Sequence, residues 1–186
     1  MIGQKAAADL IAEAFEDIAP AKWIVPDDRV RRGLLAAQFE ILVDHAHKYG
    51  LVQSVGEEAV AIWFDNTADI PEIDNYDERL ADAVGDDWLP RFQAFDAELA
   101  AHHPHEPHFH LALLAVKPRR QSSGLGSVLM RQQHAWLDAR GIPSYLEASG
   151  PRSRDLYLRH GYEPLGDPYH LPEDGPPMFP MWRRPQ

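Results

Sequence analysis

The chain of 186 residues contains no cysteine. That absence excludes a disulfide scaffold, a thiolate metal site and a cysteine nucleophile together, and it fits a reducing compartment. Long apolar runs are missing too. The longest, Ala59 to Phe64 and Leu111 to Val116, hold six residues each, against the roughly 18 needed to span a bilayer. Asp9 and Glu13 interrupt the only apolar stretch near the N-terminus, so we expect no signal peptide, no membrane partner and a cytoplasmic location. Positive charge is scarce. Eighteen Lys+Arg face 29 Asp+Glu, a net charge of −11, and an acidic surface repels polyanions, which argues against nucleic acid as a partner.

What is present suffices for one domain. Apolar residues make up 45% of the chain and include five Trp, six Tyr and seven Phe, enough for a core at this length. No repeat or long linker divides it, so residues 1–186 read as a single unit. Its charge is unevenly spread: residues 1–110 carry a net −14 and residues 111–186 a net +3. The basic part can hold a small phosphorylated ligand.

Periodicity predicts a helix over Ala6 to Ile18, closed by Pro20, and a second from Pro26-Asp27-Asp28 to a C-cap at Gly50. Leu51 to Val55 and Ala59 to Phe64, joined by Gly56-Glu57-Glu58, read as an antiparallel hairpin. The acidic stretch over residues 65–107 places Trp88, Leu89, Phe92, Phe95 and Leu99 at helical spacing. Phe109 to Val116 is a buried strand. A helix follows over Gly124 to Arg140, with Leu125, Val128, Leu129 and Trp136 on its inner side. Ser144 to Ala148 is a second buried strand, Pro151 to His160 a short helix, and the tail from Tyr162 to Trp182 has strand-like pieces. Strand, turn, helix and strand make a β-α-β unit, so the class is α/β (α+β) and ligands belong at the strand-to-helix turn.

That turn reads Lys117-Pro118-Arg119-Arg120-Gln121-Ser122-Ser123-Gly124-Leu125-Gly126-Ser127. Small residues let amides approach an anion, and the helix dipole with Arg119 or Arg120 favours negative charge. A dinucleotide fingerprint fails because Leu129 stands where glycine is needed; a Walker A fails at Gly126-Ser127-Val128. Gln/Arg-x-x-Gly-x-Gly/Ala after a buried strand does fit. With Leu156-Tyr157-Leu158-Arg159-His160-Gly161-Tyr162 further along, the sequence resembles the GNAT-type N-acetyltransferases, best over residues 109–163. Ala14-Phe15 with Trp23, and the tail Gly175 to Arg183, are similar to the puromycin N-acetyltransferase-like branch. Only Met1 to Lys5 precede the first helix, so the family's opening strand is short or missing.

The resemblance implies a mixed central sheet splayed between two parallel strands, with helices on both faces and acetyl-CoA in the gap. It implies that Leu114, Ala115 and Val116 pair with the pantetheine arm and that Gln121, Ser122, Ser123, Gly124, Leu125, Gly126 and Ser127 hold the pyrophosphate. Ser153 stands where the family often has Asn, which weakens a pantetheine or helix-capping contact. Tyr157 takes the place of the general acid; a phenol is protonated at neutral pH and can donate to a thiolate. An attacking primary amine must lose a proton, and Glu147 first, His110 second and bulk water third are the routes for it. The expected reaction is direct attack by a small-molecule or peptide amine in a ternary complex; a non-catalytic acyl-CoA-binding or regulatory module is the alternative. A homodimer is allowed for.

Five histidines fall between His102 and His110. Pro104 and Pro107 forbid helical His spacing and cysteine is absent, so no metal is expected, and a pocket role for His108 and His110 on one strand face is preferred. The acidic segment over residues 57–106, with Arg79 and Arg91 as its only Arg or Lys, suits steering of a cationic amine. Trp23, Trp63 and Trp182 are candidates to line the acceptor pocket, with core packing as their default role.

Overall fold

The computed structural model describes residues 2–186. The chain opens with α1 (Gln4–Phe15), α2 (Ala19–Ile24) and α3 (Asp28–Tyr49). The helix expected up to Ile18 ends earlier, and Pro20 does not close it. Pro20 lies in the first turn of α2, where its missing N–H has no helical partner to lose. Asp27 caps α3, accepting from the Arg29 amide at 3.0 Å. Gly50 follows with extended backbone; the need for glycine is close approach, since a Cβ there would lie 2.7 Å from the Trp63 carbonyl oxygen. Among the described residues no strand precedes α1; Met1, part of the expected short lead-in, lies outside them.

β1 (Gly50–Val55) and β2 (Ala59–Asp65) form the expected hairpin. The acidic middle contributes α4 (Tyr76–Val84) and α5 (Leu89–His102), followed by β3 (Phe109–Val116), α6 (Leu125–Asp138), β4 (Ser144–Ala148) and α7 (Pro151–Arg159). The tail adds β5 (Glu163–Pro164), β6 (Tyr169–His170) and β7 (Pro177–Arg183). The strands run in the order β1-β2-β3-β4-β7-β5, with β6 on β7, and β3–β4 is the parallel pair. This is a mixed α/β fold. No helix among the described residues is long and apolar enough to cross a membrane.

β2 is apolar from Ala59 to Phe64 because both its faces are covered. Val60 and Ile62 pack with Leu10, Ile11, Leu35 and Val43 of α1 and α3. Ala59, Ala61 and Trp63 pack on the other face with Leu129, Met130 and Leu137 of α6. Two residues of α6 depart from expectation: Val128 and Trp136 are exposed, while Gln133 and His134 are buried. Both buried polar groups are bonded, which offsets their desolvation. Gln133 accepts from Gln53 at 3.2 Å, and His134 Nε2 meets the Tyr162 hydroxyl at 3.2 Å. Trp136 instead packs outside, between Phe109 and the Arg140 guanidinium.

The sheet opens between its parallel strands. β3 and β4 are in register only at Phe109–Ser144 and His110–Tyr145. Immediately beyond, the β2–β3 register steps from Trp63–Leu111 to Ile62–Leu113, leaving Ala112 unpaired. An extra residue bends its strand and tightens the local twist, so β3 swings away while β4 stays zipped to β7 from Ser144 to Ala148. The last residues of β3 thus present a free edge toward β4.

Candidate active site

A cavity of about 910 Å³ occupies the opening. His110, Leu114, Ala115, Val116, Gln121, Ser122, Gly124, Leu125, Gly126, Ser127, Glu147, Ser153 and Tyr157 all line it. Ser123 does not; its hydroxyl folds back to the Arg120 carbonyl.

At one end lies the start of α6. Gly124 adopts φ +85° as the N-cap, with no side chain capping the helix, so the first-turn amides have no helical partner. A Cβ on Gly124 would meet nothing within 4 Å, leaving open space over those amides. Arg119 and Arg120 were expected to favour an anion here, yet both reach Glu58 in the hairpin turn, at 2.8 and 3.4 Å; Arg120 still lines the cavity. Arg152 was not singled out from the sequence. It comes from the first turn of α7 and donates to the Ser122 hydroxyl at 3.2 Å, and Arg159 lines the same cavity. Nothing in the linear spacing signals Arg152, because its contact crosses thirty positions.

Free carbonyls and amides of the β3 edge form one wall. Glu147 stands on β4 opposite His110, with Oε2 3.5 Å from Nε2. The Glu147 side chain is only 6% exposed, and Oε1 is buried with no partner among the described residues. Such a group is costly to leave unpaired, so it is a ready acceptor for a ligand proton. Behind His110, His103 lies 4.8 Å away ring to ring. Burial, then His110 and His108, push His103 down to about 4, so it is neutral and accepts from Asn66 Nδ2 at 2.9 Å. His108 is buried and bonded to the Glu106 carbonyl; it supports the cluster and does not line the cavity. Among the described residues no group of three or more His, Asp or Glu is arranged to hold a metal ion.

Tyr157 is buried on α7, and loss of solvent raises its phenol above the ordinary value. It therefore stays protonated at neutral pH, as a donor. Ser153 turns its hydroxyl to the Gly150 carbonyl at 3.0 Å. The three tryptophans do not line the cavity. Trp63 is core against His134, Trp182 packs on His108, and Trp23 donates to the Pro172 carbonyl at 3.1 Å.

Residues 88–162, from the head of α5 past Tyr157, match the Acetyltransferase (GNAT) family. The matched stretch takes in β3, the loop at the head of α6, β4 and α7, the elements that build the cavity. A crystal structure from Corynebacterium glutamicum, described as histone acetyltransferase HPA2 and related acetyltransferase, is similar at TM-score 0.71 and 27% identity, covering 98% of this chain and 91% of that one. Arylalkylamine N-acetyltransferase 2 from Aedes aegypti shares the fold, at TM-score 0.59 and 14% identity, over 100% of this chain and 97% of that one. The protein is accordingly an acyltransferase. The family uses acetyl-CoA as co-substrate, and its demands fit the cavity: an uncapped helix N-terminus with nearby arginines suits a pyrophosphate, and a free strand edge suits an amide-bearing arm.

Proposed function

We propose that the protein transfers an acetyl group from acetyl-CoA to a primary amine by direct attack, with both substrates bound. The unpartnered, buried Glu147 oxygen beside His110, in one cavity with the Tyr157 hydroxyl, carries this reading. Acetyl-CoA supplies an activated thioester. Leu114 to Val116 hold its arm through backbone bonds, and the amides from Gln121 to Ser127 hold the pyrophosphate, with Arg152 adding charge. Glu147, steadied by His110, accepts a proton from the incoming ammonium. Amides on the β3 edge stabilise charge growing on the acyl oxygen, and Tyr157 protonates the departing sulfur. No thiol is present to be acylated, which favours one direct transfer over a cysteine-linked route.

The surroundings of the cavity support an amine acceptor. A second cavity of about 770 Å³ shares Leu42, Phe64 and His110 with the first and is bordered by Glu72, Asp77 and Glu78, a field that draws cations.

Calorimetry with acetyl-CoA, followed by coenzyme A release with a panel of primary amines, tests the proposal. We expect saturable binding and amine-dependent release. No detectable binding by the purified protein overturns it.

A further inference from the structure

Part of the cavity is walled by Phe15, Phe39, Phe64, Phe95 and Leu99, drawn from α1, α3, β2 and α5. A single carboxyl, Asp96, interrupts this apolar surface. Its Oδ2 accepts from the Tyr76 hydroxyl at 2.7 Å, and among the described residues Oδ1 makes no bond. Tyr76 itself faces the neighbouring acidic cavity, so the pair sits where the two spaces meet. Burial raises the Asp96 carboxyl to about 6 despite the Tyr76 bond, while the residue stays half-buried and open to the cavity. Oδ1 is not among the buried unpartnered oxygens, so it opens to the cavity, where a ligand donor can take the place of water; packing alone would favour a leucine at such a position in an aromatic wall.

We propose that the acceptor is an amine with an aryl or alkyl body and a hydrogen-bond donor at its far end, and that Asp96, held by Tyr76, selects for that donor. This rests on the acetyl-transfer reading above and specifies its substrate class. The amine reaches Glu147, the apolar body lies against the phenylalanines, and the distal hydroxyl or ammonium binds Oδ1. A polyamine with internal charges fits poorly, since each would be stripped of water along the aromatic wall.

The test compares matched amines. Phenethylamine is paired with tyramine, and octylamine with 1,8-diaminooctane; kcat/KM is measured for each with wild type, Tyr76→Phe/Asp96→Leu and Asp96→Asn. Acetyl-CoA affinity is followed by calorimetry throughout. For wild type we expect the donor-bearing member of at least one pair to be preferred about tenfold, the scale of one charge-assisted hydrogen bond. That ratio should fall to near one in the double variant, whatever its absolute rates. A purely structural Asp96 would lower both members alike. Asp96→Asn preserves shape and a bond to Tyr76, and should erode the diamine preference more than the tyramine preference. A wild-type ratio near one for both pairs overturns the assignment, as does acetyl-CoA binding with no turnover of any of the four amines; in both cases the coenzyme reading stands. Absence of acetyl-CoA binding overturns the acetyl-transfer reading itself, and this inference with it.

Discussion

His110 and Glu147 face each other where β3 and β4 part, with Nε2 and Oε2 3.5 Å apart and the second Glu147 oxygen buried without a partner among the described residues. His110 belongs to the last paired position of the two parallel strands, and Glu147 stands two residues beyond its partner Tyr145, so the opening of the sheet leaves both side chains on its cavity. A carboxylate held this way can take a proton from an ammonium without first breaking a strong bond.

Glu147→Gln should therefore lower kcat by about 10² to 10⁴, the usual worth of a positioned acid–base group, while acetyl-CoA affinity stays within a few-fold. Steady-state kinetics and calorimetry on the same preparation check this. Turnover close to wild type would assign proton removal to solvent.

Tyr157→Phe deletes one hydroxyl from a residue buried in the cluster that Leu129, Met130 and Leu137 of α6 form on the sheet. Folding and acetyl-CoA binding should persist while kcat falls by roughly 10². A thioester with a more acidic leaving thiol should recover part of the loss, because it needs the proton less.

The two loop glycines should respond differently. A Cβ on Gly126 would sit 3.6 Å from Leu114 and Val116 side chains, ordinary contact distance, so Gly126→Ala should fold and bind acetyl-CoA nearly as well as wild type. Gly124, at φ +85°, should lose roughly 1–2 kcal/mol on substitution by Ala. It should also lose coenzyme affinity, because the new methyl enters the open space above the helix amides. Calorimetry on the two variants distinguishes them.

Arg183 is 4% exposed and grips Asp138 through two bonds of 2.7 and 2.8 Å, tying β7 to the end of α6. Asp138→Ala leaves that guanidinium without its counter-charge and should cost about 3 kcal/mol, measured by urea denaturation. A loss below about 0.5 kcal/mol would place the pair among surface bridges of little effect.

His134 is held down to about 3, chiefly by burial and next by Arg183. The unfolded chain takes up this proton near pH 6.5, so the stabilisation is complete above that pH and lost as pH falls toward 3. His134→Gln should flatten the fall in Tm over that window; an unchanged slope would assign acid sensitivity to other groups.

The most local features were the most legible. A continuous apolar strand, two glycines at a helix start and a Leu-Tyr motif on the next short helix carry their meaning within about fifty residues, because backbone geometry and capping are decided by near neighbours. The α6 face was misread at Val128 and Trp136, since Gln133 and His134 are polar by composition but find buried partners on β1 and in Tyr162. Arg119 and Arg120 looked free in a linear reading, yet Glu58 meets them from the hairpin turn.

The sequence by itself determined the α/β class, the order of strands and helices from β3 to α7 and the loop at the head of α6, all of which follow from periodicity and short-range turn chemistry. Only the tertiary structure decided where the sheet opens, because the Ala112 bulge exists only relative to β2. It also decided which charges stand over the cavity. Arg152 and Asp96 take their roles from groups twenty or more positions away, and such contacts arise from packing of whole elements, which no local pattern encodes.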